Sequence, residues 1–548
     1  MKGCRMTRSK ALALGVLIVG AVGGEYAPNL RNDPELIRFV HRLSTRYGLE
    51  TPVSLYTLPM DAGEAAEFFH GADSLDSSGI LQPSESSRLA RAKSELLSRR
   101  KLFGWESPER EIRTDIHLSL LGDVRPRYVD SAGAGLKGVI RPGLTGNTGA
   151  LSFFSEVDVW TEYRSDTLFR PSSYQPHDGI PHNLYGRADS SHLRSSDILR
   201  GGIGYRGGIL DIETAVDRLR TGPAVHYPLT FSGYTPPLTY LRGRLDLSRV
   251  RYIHAFGLLK SRKDKRKYFY THRLEVPLMG GRFRLGINEV VINGSTTDEA
   301  GDPLRPEYYG EERDWEWVYM IPFVPFAFAE HYLGDRDNAA LSFDIDVRQP
   351  AGFRWYLEFF LDDISAPWTI FSDDYGNKWA LTVGGQYFGH LLQRETTVSM
   401  EYCRVEPWVY THFYGGSHRY THFGESLGSP LGPNSDALVV SAEARVFDRH
   451  TFGLRLHNTR TNAATRGGSI RDVFQDSVFW TDHPRYRDVE ADSRTKAFLG
   501  SGTVRSTRPG ISWEYNPFGL FRVGALVEYD FGEAYKGLYG RVHGGVVF

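Results

Sequence analysis

The chain has 548 residues, more than a single compact hydrophobic core supports, so it folds as several domains or as one large closed sheet. An aromatic share of 13%, with 30 Tyr, 31 Phe and 58 Gly, excludes a disordered chain and favours many strands joined by many turns. Because 65 basic residues meet 66 acidic ones, there is no global field to recruit nucleic acid, and any binding must come from local patches.

The first 24 residues read as a secretory signal peptide. Arg5, Arg8 and Lys10 form a positive start, Ala11 to Val22 an apolar run, and Gly23-Gly24 a small-residue exit. That run is too short to cross a bilayer, which takes about 20 apolar residues. Cys4 lies inside the signal, so the mature chain keeps only Cys403 and forms no internal disulfide. No later segment is long and apolar enough for a transmembrane helix, so membrane residence requires a β-barrel.

Residues 25–110 are expected to form a small periplasmic helical bundle. Helix starts stand at Asp33-Pro34, Asp61 and Pro83. Asp61 and Glu64 match a capping box ahead of Ala65, Ala66, Phe68 and Phe69. In Ser84 to Arg100, Leu89, Ala92, Leu96 and Leu97 share one face at helical spacing.

Residues 111–548 are expected to form the barrel, because alternation dominates from Ile112 onward. Phe343, Ile345 and Val347 alternate with Asp344, Asp346 and Arg348, and the segments Ser152 to Tyr163, Arg282 to Asn288 and Tyr356 to Asp362 behave alike. The same holds for Phe521 to Phe531, where Phe521, Val523, Ala525, Val527, Tyr529 and Phe531 oppose Arg522, Gly524, Glu528 and Asp530. A soluble sandwich also alternates, but large aromatics bound these apolar faces. Phe153, Val157, Trp160, Tyr163, Trp368 and Trp379 suit a lipid-facing band with interfacial girdles, and Trp315, Trp317 and Tyr319, alternating on one strand with Glu316 and Val318 between them, form a further girdle ladder or else a sugar platform. The last strand, with Leu538, Gly540, Val542, Gly544, Val546 and Phe548 on one face, ends on an aromatic suited to barrel-insertion machinery. About ten residues per strand, with longer loops on one side, give roughly 16–20 antiparallel strands. The expected outer loops are Arg164 to Arg200, Asn293 to Asp314, Glu406 to Ala437 and Asn458 to Pro509.

Several ordered blocks resemble a known family. Tyr270-Thr-His-Arg-Leu-Glu275, Leu285-Gly-Ile-Asn-Glu289, Ala329-Glu-His-Tyr-Leu-Gly-Asp-Arg-Asp-Asn338, Leu361-Asp-Asp363, Asn377-Lys-Trp379, Arg404-Val-Glu-Pro-Trp-Val-Tyr-Thr-His412 and Gly432-Pro-Asn-Ser-Asp436 resemble the capsule-assembly Wzi family. The resemblance implies an all-β outer-membrane barrel of about 18 antiparallel strands with a small N-terminal α-helical bundle. It also implies a lectin that holds or organises capsular polysaccharide at the surface of a Gram-negative cell. Arg220-Thr-Gly-Pro223 departs from the pattern, where a Trp before Gly-Pro is expected.

Sugar recognition needs aromatic faces for C–H surfaces and polar groups for hydroxyls. The candidate polysaccharide-binding residues are Glu330, His331, Asp335, Arg336, Asp337 and Asn338, with Asp362, Asp363, Lys378, Arg404, Glu406 and His412 from neighbouring blocks. The competing reading makes them ion pairs that brace a confined interior. The basic run Lys260 to Lys267 suits lipopolysaccharide phosphates or an anionic glycan, or else a solvated hairpin tip.

Gly202-Ile-Gly-Tyr-Arg-Gly207 fits a dinucleotide fingerprint, but a strand follows it and no helix, so the segment is expected to be a hairpin turn. Gly424-Glu-Ser-Leu-Gly428 fits a nucleophile elbow around Ser426, but Pro430 and Gly432 stand where its helix is needed. His331 and His412 lack zinc spacing, and Asp335, Asp337, Asn338, Asp344 and Asp346 lack the spacing of a calcium loop. The expectation is therefore a non-enzymatic polysaccharide binder without cofactor or metal, in contact with outer-membrane lipid. A porin-like channel is the alternative, and a barrel-embedded lipid-modifying enzyme a third reading.

Overall fold

The computed structural model describes residues 33–97, 102–107, 112–128, 132–165, 192–247, 249–260, 266–295, 313–334, 336–412, 417–447, 449–472, 495–515, 521–532 and 536–547. The signal peptide with Cys4, the basic tip at 261–265, Asp335 and Phe548 lie outside the described residues.

The N-terminal part holds three helices, α1 (Pro34–Tyr47), α2 (Ala62–Ser77) and α3 (Pro83–Leu97), starting where the sequence marks them. Asp33 caps α1, its carboxylate accepting from the N–H groups of Glu35 at 2.9 Å and Leu36 at 3.3 Å. Asp61 caps α2 by accepting from the Glu64 N–H at 2.9 Å. The reciprocal half of the capping box is absent. Glu64 turns instead to the N–H of Ser54 at 2.9 Å and to Arg244 at 2.5 Å, since a buried cation outcompetes the local amide. Phe39, Val40 and Leu43 of α1 pack on Phe69 and Ala72 of α2 and on Leu89 and Ala92 of α3 in one small core.

Eighteen antiparallel strands then close into a barrel. They are β1 (Ile112–Tyr128), β2 (Ala132–Thr148), β3 (Leu151–Arg164), β4 (Leu193–Gly207), β5 (Leu210–Asp217), β6 (Leu238–Asp246), β7 (Arg251–Lys260), β8 (Arg266–Leu278) and β9 (Phe283–Gly294). The second half is β10 (Asn338–Gln349), β11 (Phe353–Asp363), β12 (Lys378–Leu391), β13 (Arg394–Val405), β14 (Ser435–Phe447), β15 (His450–Thr461), β16 (Val504–Tyr515), β17 (Phe521–Asp530) and β18 (Gly537–Val547). Closure comes from β18 pairing with β1 in the register Leu538↔Tyr128 through Val547↔Ser119. A short strand, Phe103–Ser107, extends the pairing of β1. The loop bounds shift accordingly: Arg164, Leu193 to Arg200, Asn293 and Gly294, Ser435 to Ala437, Asn458 to Thr461 and Val504 to Pro509 are strand, because their alternation continues to the barrel rim.

Period-two alternation sorts the two faces. Outward Leu258, Leu274, Ile287, Phe343 and Val383 are exposed, an apolar wall that only lipid can cover at low cost. Inward Arg273, Arg284 and Arg354 are fully buried and held in carboxylate ladders. Arg273 reaches Glu275 at 2.7 Å and Asp344, Arg284 reaches Glu275 at 2.8 Å, and Arg354 reaches Asp346 at 2.6 Å. Trp160 corrects the expected girdle. It falls on the inward face with Glu156, Asp158 and Glu162, buried 4.3 Å from the Lys137 ammonium, because the strand period overrides the residue's taste for interfaces.

The hairpins at one end are short, as in Gln349 to Phe353, where Gly352 at φ +91° would carry a Cβ 2.3 Å from the Phe388 carbonyl. The helices dock at this end. Arg42 donates to the carbonyls of Thr396 at 3.1 Å and Gly389 at 2.9 Å, Arg348 to Ser44 at 2.8 Å and Arg284 to Thr51 at 2.8 Å.

From the long-loop end, two connections fold into the lumen. Residues 218–237 descend until Thr221 pairs with Thr57 of the helical part. There the Glu401 carboxylate accepts from the N–H groups of Val225, His226 and Tyr227 at 2.6–2.9 Å. Residues 406–412 and 417–434 pack beside them, with Tyr410 and Tyr420 stacked at 5.3 Å among Leu229, Phe231, Phe269 and Phe360. A cavity of about 510 Å³ remains between α1 and the wall of β1–β4 and β14–β18, lined by Asp33, Arg38, Asp123, Arg125, Trp160 and Arg541 among others.

Candidate functional site

The candidate residues separate into three groups at the long-loop end. The first lies where β11 and β13 finish and β12 begins. Asp363 and Lys378 pair at 3.1 Å, and Arg404 donates to Glu406 at 2.7 Å. The Arg404 guanidinium also lies over the rings of Trp379 at 5.2 Å and Phe498 at 3.9 Å. Asp362 points inward and accepts from the Tyr410 N–H at 2.7 Å, fastening the inserted loop to the wall. Glu406 also receives Lys496 at 2.9 Å, and burial pulls that ammonium below the usual lysine range.

Half-exposed Asp363 and partly exposed Arg404 form the accessible polar edge of this group. Phe371 meets Trp379 edge-on at 5.5 Å, and Trp368 is 87% exposed. Aromatic faces and fixed hydrogen-bonding groups thus share one rim, the combination a neutral glycan needs.

The second group is buried. Asp337 pairs with Arg313 and accepts from the Tyr319 hydroxyl at 2.9 Å. Burial raises the Asp337 carboxyl despite the arginine beside it. Asn338 donates to the His418 carbonyl at 2.7 Å, and His412 stacks on His418 at 5.3 Å. Burial holds the His418 imidazole well below the ordinary histidine range, so it stays neutral at pH 7. These contacts brace the loop that precedes β10.

Glu330 and His331 form the third group, on a helix outside the barrel wall, and Arg336 caps the end of that helix by donating to the Leu333 carbonyl at 3.2 Å. The expected Trp315–Tyr319 strand is corrected here. Residues 317–320 form helix α4 (Trp317–Met320) and 326–333 form helix α5 (Phe326–Leu333), broken between by Pro322 and Pro325, which cannot continue a helix.

Sequence reasoning missed Lys496 and Phe498, which reach the first group from a distant loop without any periodic signal. Trp408 lies within the block Arg404 to His412. It is buried on Gly467, where φ is +74° and a Cβ would lie 2.5 Å from the indole nitrogen. The fingerprint Gly202–Gly207 is not the expected hairpin turn but the end of β4, paired with β5, with the turn at Gly208 and Ile209, and Ser426 is followed by turns rather than a helix. Lys267 is buried and donates to the Arg419 carbonyl at 2.6 Å and the Thr421 carbonyl at 2.9 Å, so the described end of the basic run is structural.

No family model and no curated protein matches the sequence. Among solved structures, the chain is similar to Wzi of Escherichia coli, described as an outer-membrane protein involved in group 1 capsule assembly and a carbohydrate-binding β-barrel. The TM-score is 0.57 at 12% identity over 95% of this chain and 99% of that one. More remote likenesses are the OccK2 protein of Pseudomonas aeruginosa, solved with glucuronate, at TM-score 0.42, 10% identity, 79% of this chain and 96% of that one. OccAB3 of Acinetobacter baumannii stands at TM-score 0.41, 10% identity, 79% of this chain and 99% of that one. The 18-stranded barrel with N-terminal helices is thus a fold that this chain shares with Wzi.

Proposed function

We propose that the protein is an outer-membrane barrel of a Gram-negative bacterium that binds capsular or extracellular polysaccharide and supports its assembly or attachment. The observation that carries this reading is a lumen entered from both ends, by helices on the short-turn side and by residues 218–237, 406–412 and 417–434 on the other, beneath an aromatic and charged rim. With helices and loops occupying much of the interior beside the cavity of about 510 Å³, the rim is the accessible polar surface that a long glycan can meet. The shared fold with a carbohydrate-binding barrel supports the same reading.

Within it, Asp363, Arg404 and Trp368 are the glycan-facing groups, while Glu330, His331 and Arg336 lie farther out on the same side. Asp337, Asn338, Asp362, Lys378, Glu406 and His412 hold the loops in place, and Asp335 is kept as a candidate. Residues 25–110 are assigned to the periplasmic side, and residues 1–24 to a cleaved signal.

The test is retention of capsular polysaccharide by purified protein, comparing wild type with D363A/R404A and W368A, each checked for the heat-modifiable migration of a folded barrel. Loss of retention in folded variants is expected. Unchanged retention would overturn the rim assignment, and a large stable conductance from wild-type protein would favour a channel instead.

A further inference from the structure

The segment from Arg313 to Leu333 does not project away from the barrel. It folds back over the outer wall of β7–β10. Trp315 packs on Tyr268 at 4.4 Å, Tyr319 on Tyr270 at 5.2 Å, and Phe323 stacks on Tyr252 at 4.3 Å. Backbone bonds hold it there. The N–H groups of Glu316, Phe323 and Phe326 donate to the Tyr270 hydroxyl at 2.8 Å, the Tyr252 hydroxyl at 2.9 Å and the Glu289 carboxylate at 2.8 Å.

These partners face outward. On β8 the odd positions Phe269 and Arg273 enter the lumen, so Tyr268, Tyr270 and His272 point away, beside exposed Leu274. Tyr252 is the second residue of β7, so the segment covers most of that strand's length. Glu289 and His272, bonded at 2.7 Å, lie beneath it. An outward carboxylate at such a position is costly against hydrocarbon, so the cover belongs to the membrane-inserted state.

The composition of the segment indicates what touches its other side. Trp317 to Ala329 carries no charged residue, with Arg313, Asp314 and Glu316 before it and Glu330 and His331 after it. A charge-free run this short does not span a bilayer and is typical of a segment lying in its interface. Trp317, Phe323, Phe328 and Tyr332 remain exposed, at 74%, 65%, 75% and 85%. They continue the apolar band of Leu258, Leu274, Ile287 and Phe343.

We infer that Trp317 to Ala329 is a lipid-inserted flap, whose outer aromatic face seats acyl chains of the surrounding bilayer while its inner face seals the Glu289–His272 pair. The flap leaves Glu330 and His331 at the boundary where its apolar run stops. This holds whether or not the rim binds glycan.

The experiment places a nitroxide on F328C, and separately on W317C, in full-length protein reconstituted into phosphatidylcholine vesicles, with Cys403 buried and unreactive. L274C on the apolar wall and M279C on an exposed turn serve as references. The ratio of oxygen to nickel-chelate collisions at both flap sites is expected to match L274C and to exceed M279C by about an order of magnitude, as apolar insertion requires. A ratio like that of M279C would overturn the inference. Protection from both reagents would overturn it too, because the face would then be covered by protein.

Discussion

The two ends of the lumen are filled by different chemistry. On the short-turn side the fit between helices and wall is ionic: Arg88 to Glu395 at 2.5 Å, Arg244 to Glu64 at 2.5 Å and Arg251 to Glu50 at 2.9 Å. On the long-loop side the filling is aromatic, with Tyr227, Phe231, Tyr410 and Tyr420 in a core shared with the wall. The helices carry their own core and meet the barrel through directional bonds between preformed surfaces. The inserted loops have no core without the barrel. The helical part is therefore separable in principle, whereas the loops are built in at both ends.

Glu401→Ala should break this comparison most strongly. Glu401 accepts from the N–H groups of Val225, His226 and Tyr227 and from the Tyr356 hydroxyl at 2.7 Å. Each buried donor left without a partner costs about 1–3 kcal/mol. Residues 218–237 should leave the lumen, and single-channel recording should show conductance above that of wild type. An E401A conductance equal to that of wild type would mean that the aromatic core alone retains the loop.

Arg42→Ala should act next, at the other end. Its guanidinium is bonded to Glu85 at 2.7 Å as well as to the two wall carbonyls, and its removal leaves that buried carboxylate with the Tyr47 hydroxyl, the Gln82 N–H and the more distant Arg46, so the cost lies at or below the roughly 3–5 kcal/mol of a broken buried pair. Protease should then release the helical part while the barrel keeps its heat-modifiable migration. Coincident loss of both would show that the two ends fold as one unit.

The barrel was legible because a closed sheet between lipid and lumen forces side chains to alternate, and the alternation survives in β9, β10, β11 and β17. The caps at Asp33 and Asp61 were legible because the orphan N–H groups of a helix start demand short acceptors. Trp160 was misplaced when its aromatic identity was read in preference to the Glu156–Glu162 period. Trp315, Trp317 and Tyr319 alternate by coincidence in a segment interrupted by prolines. The candidate residues were visible as blocks, yet their separation into a rim, a buried brace and an outer helix depends on loops folding back across the wall. Period and spacing carry no trace of that.

A pH experiment sharpens the ionic end. Burial raises the Asp61 carboxyl to about 6, above its ordinary 3.8, while Arg244 holds the neighbouring Glu64 below its own usual value. With its folded value above its unfolded one, Asp61 takes up a proton first in the folded state. Its ionised form therefore costs stability above pH 6, and that cost is relieved as pH falls from about 6 to about 4. Asp61→Asn keeps a side-chain acceptor at the cap and removes this titration. Protease resistance of the helical part should thus depend less on pH in the variant across that window. An unchanged pH profile would place the titration elsewhere.

The smallest effect is expected where the helices face away from the wall. Lys93 and Asp73 pair there, but Asp73 is largely solvated, and exposed pairs contribute about 0–1 kcal/mol. Lys93→Ala should leave both the release of the helices and the behaviour of the barrel near wild type under the proteolysis used for R42A. The contrast between the two cations is the informative quantity. Arg42 bonds to wall carbonyls of Thr396 and Gly389, whereas the bond of Lys93 to Asp73 stays within the helical part. If K93A released the helices as readily as R42A, the internal stability of the bundle, and not its ionic seam with the wall, would set how firmly that end is closed.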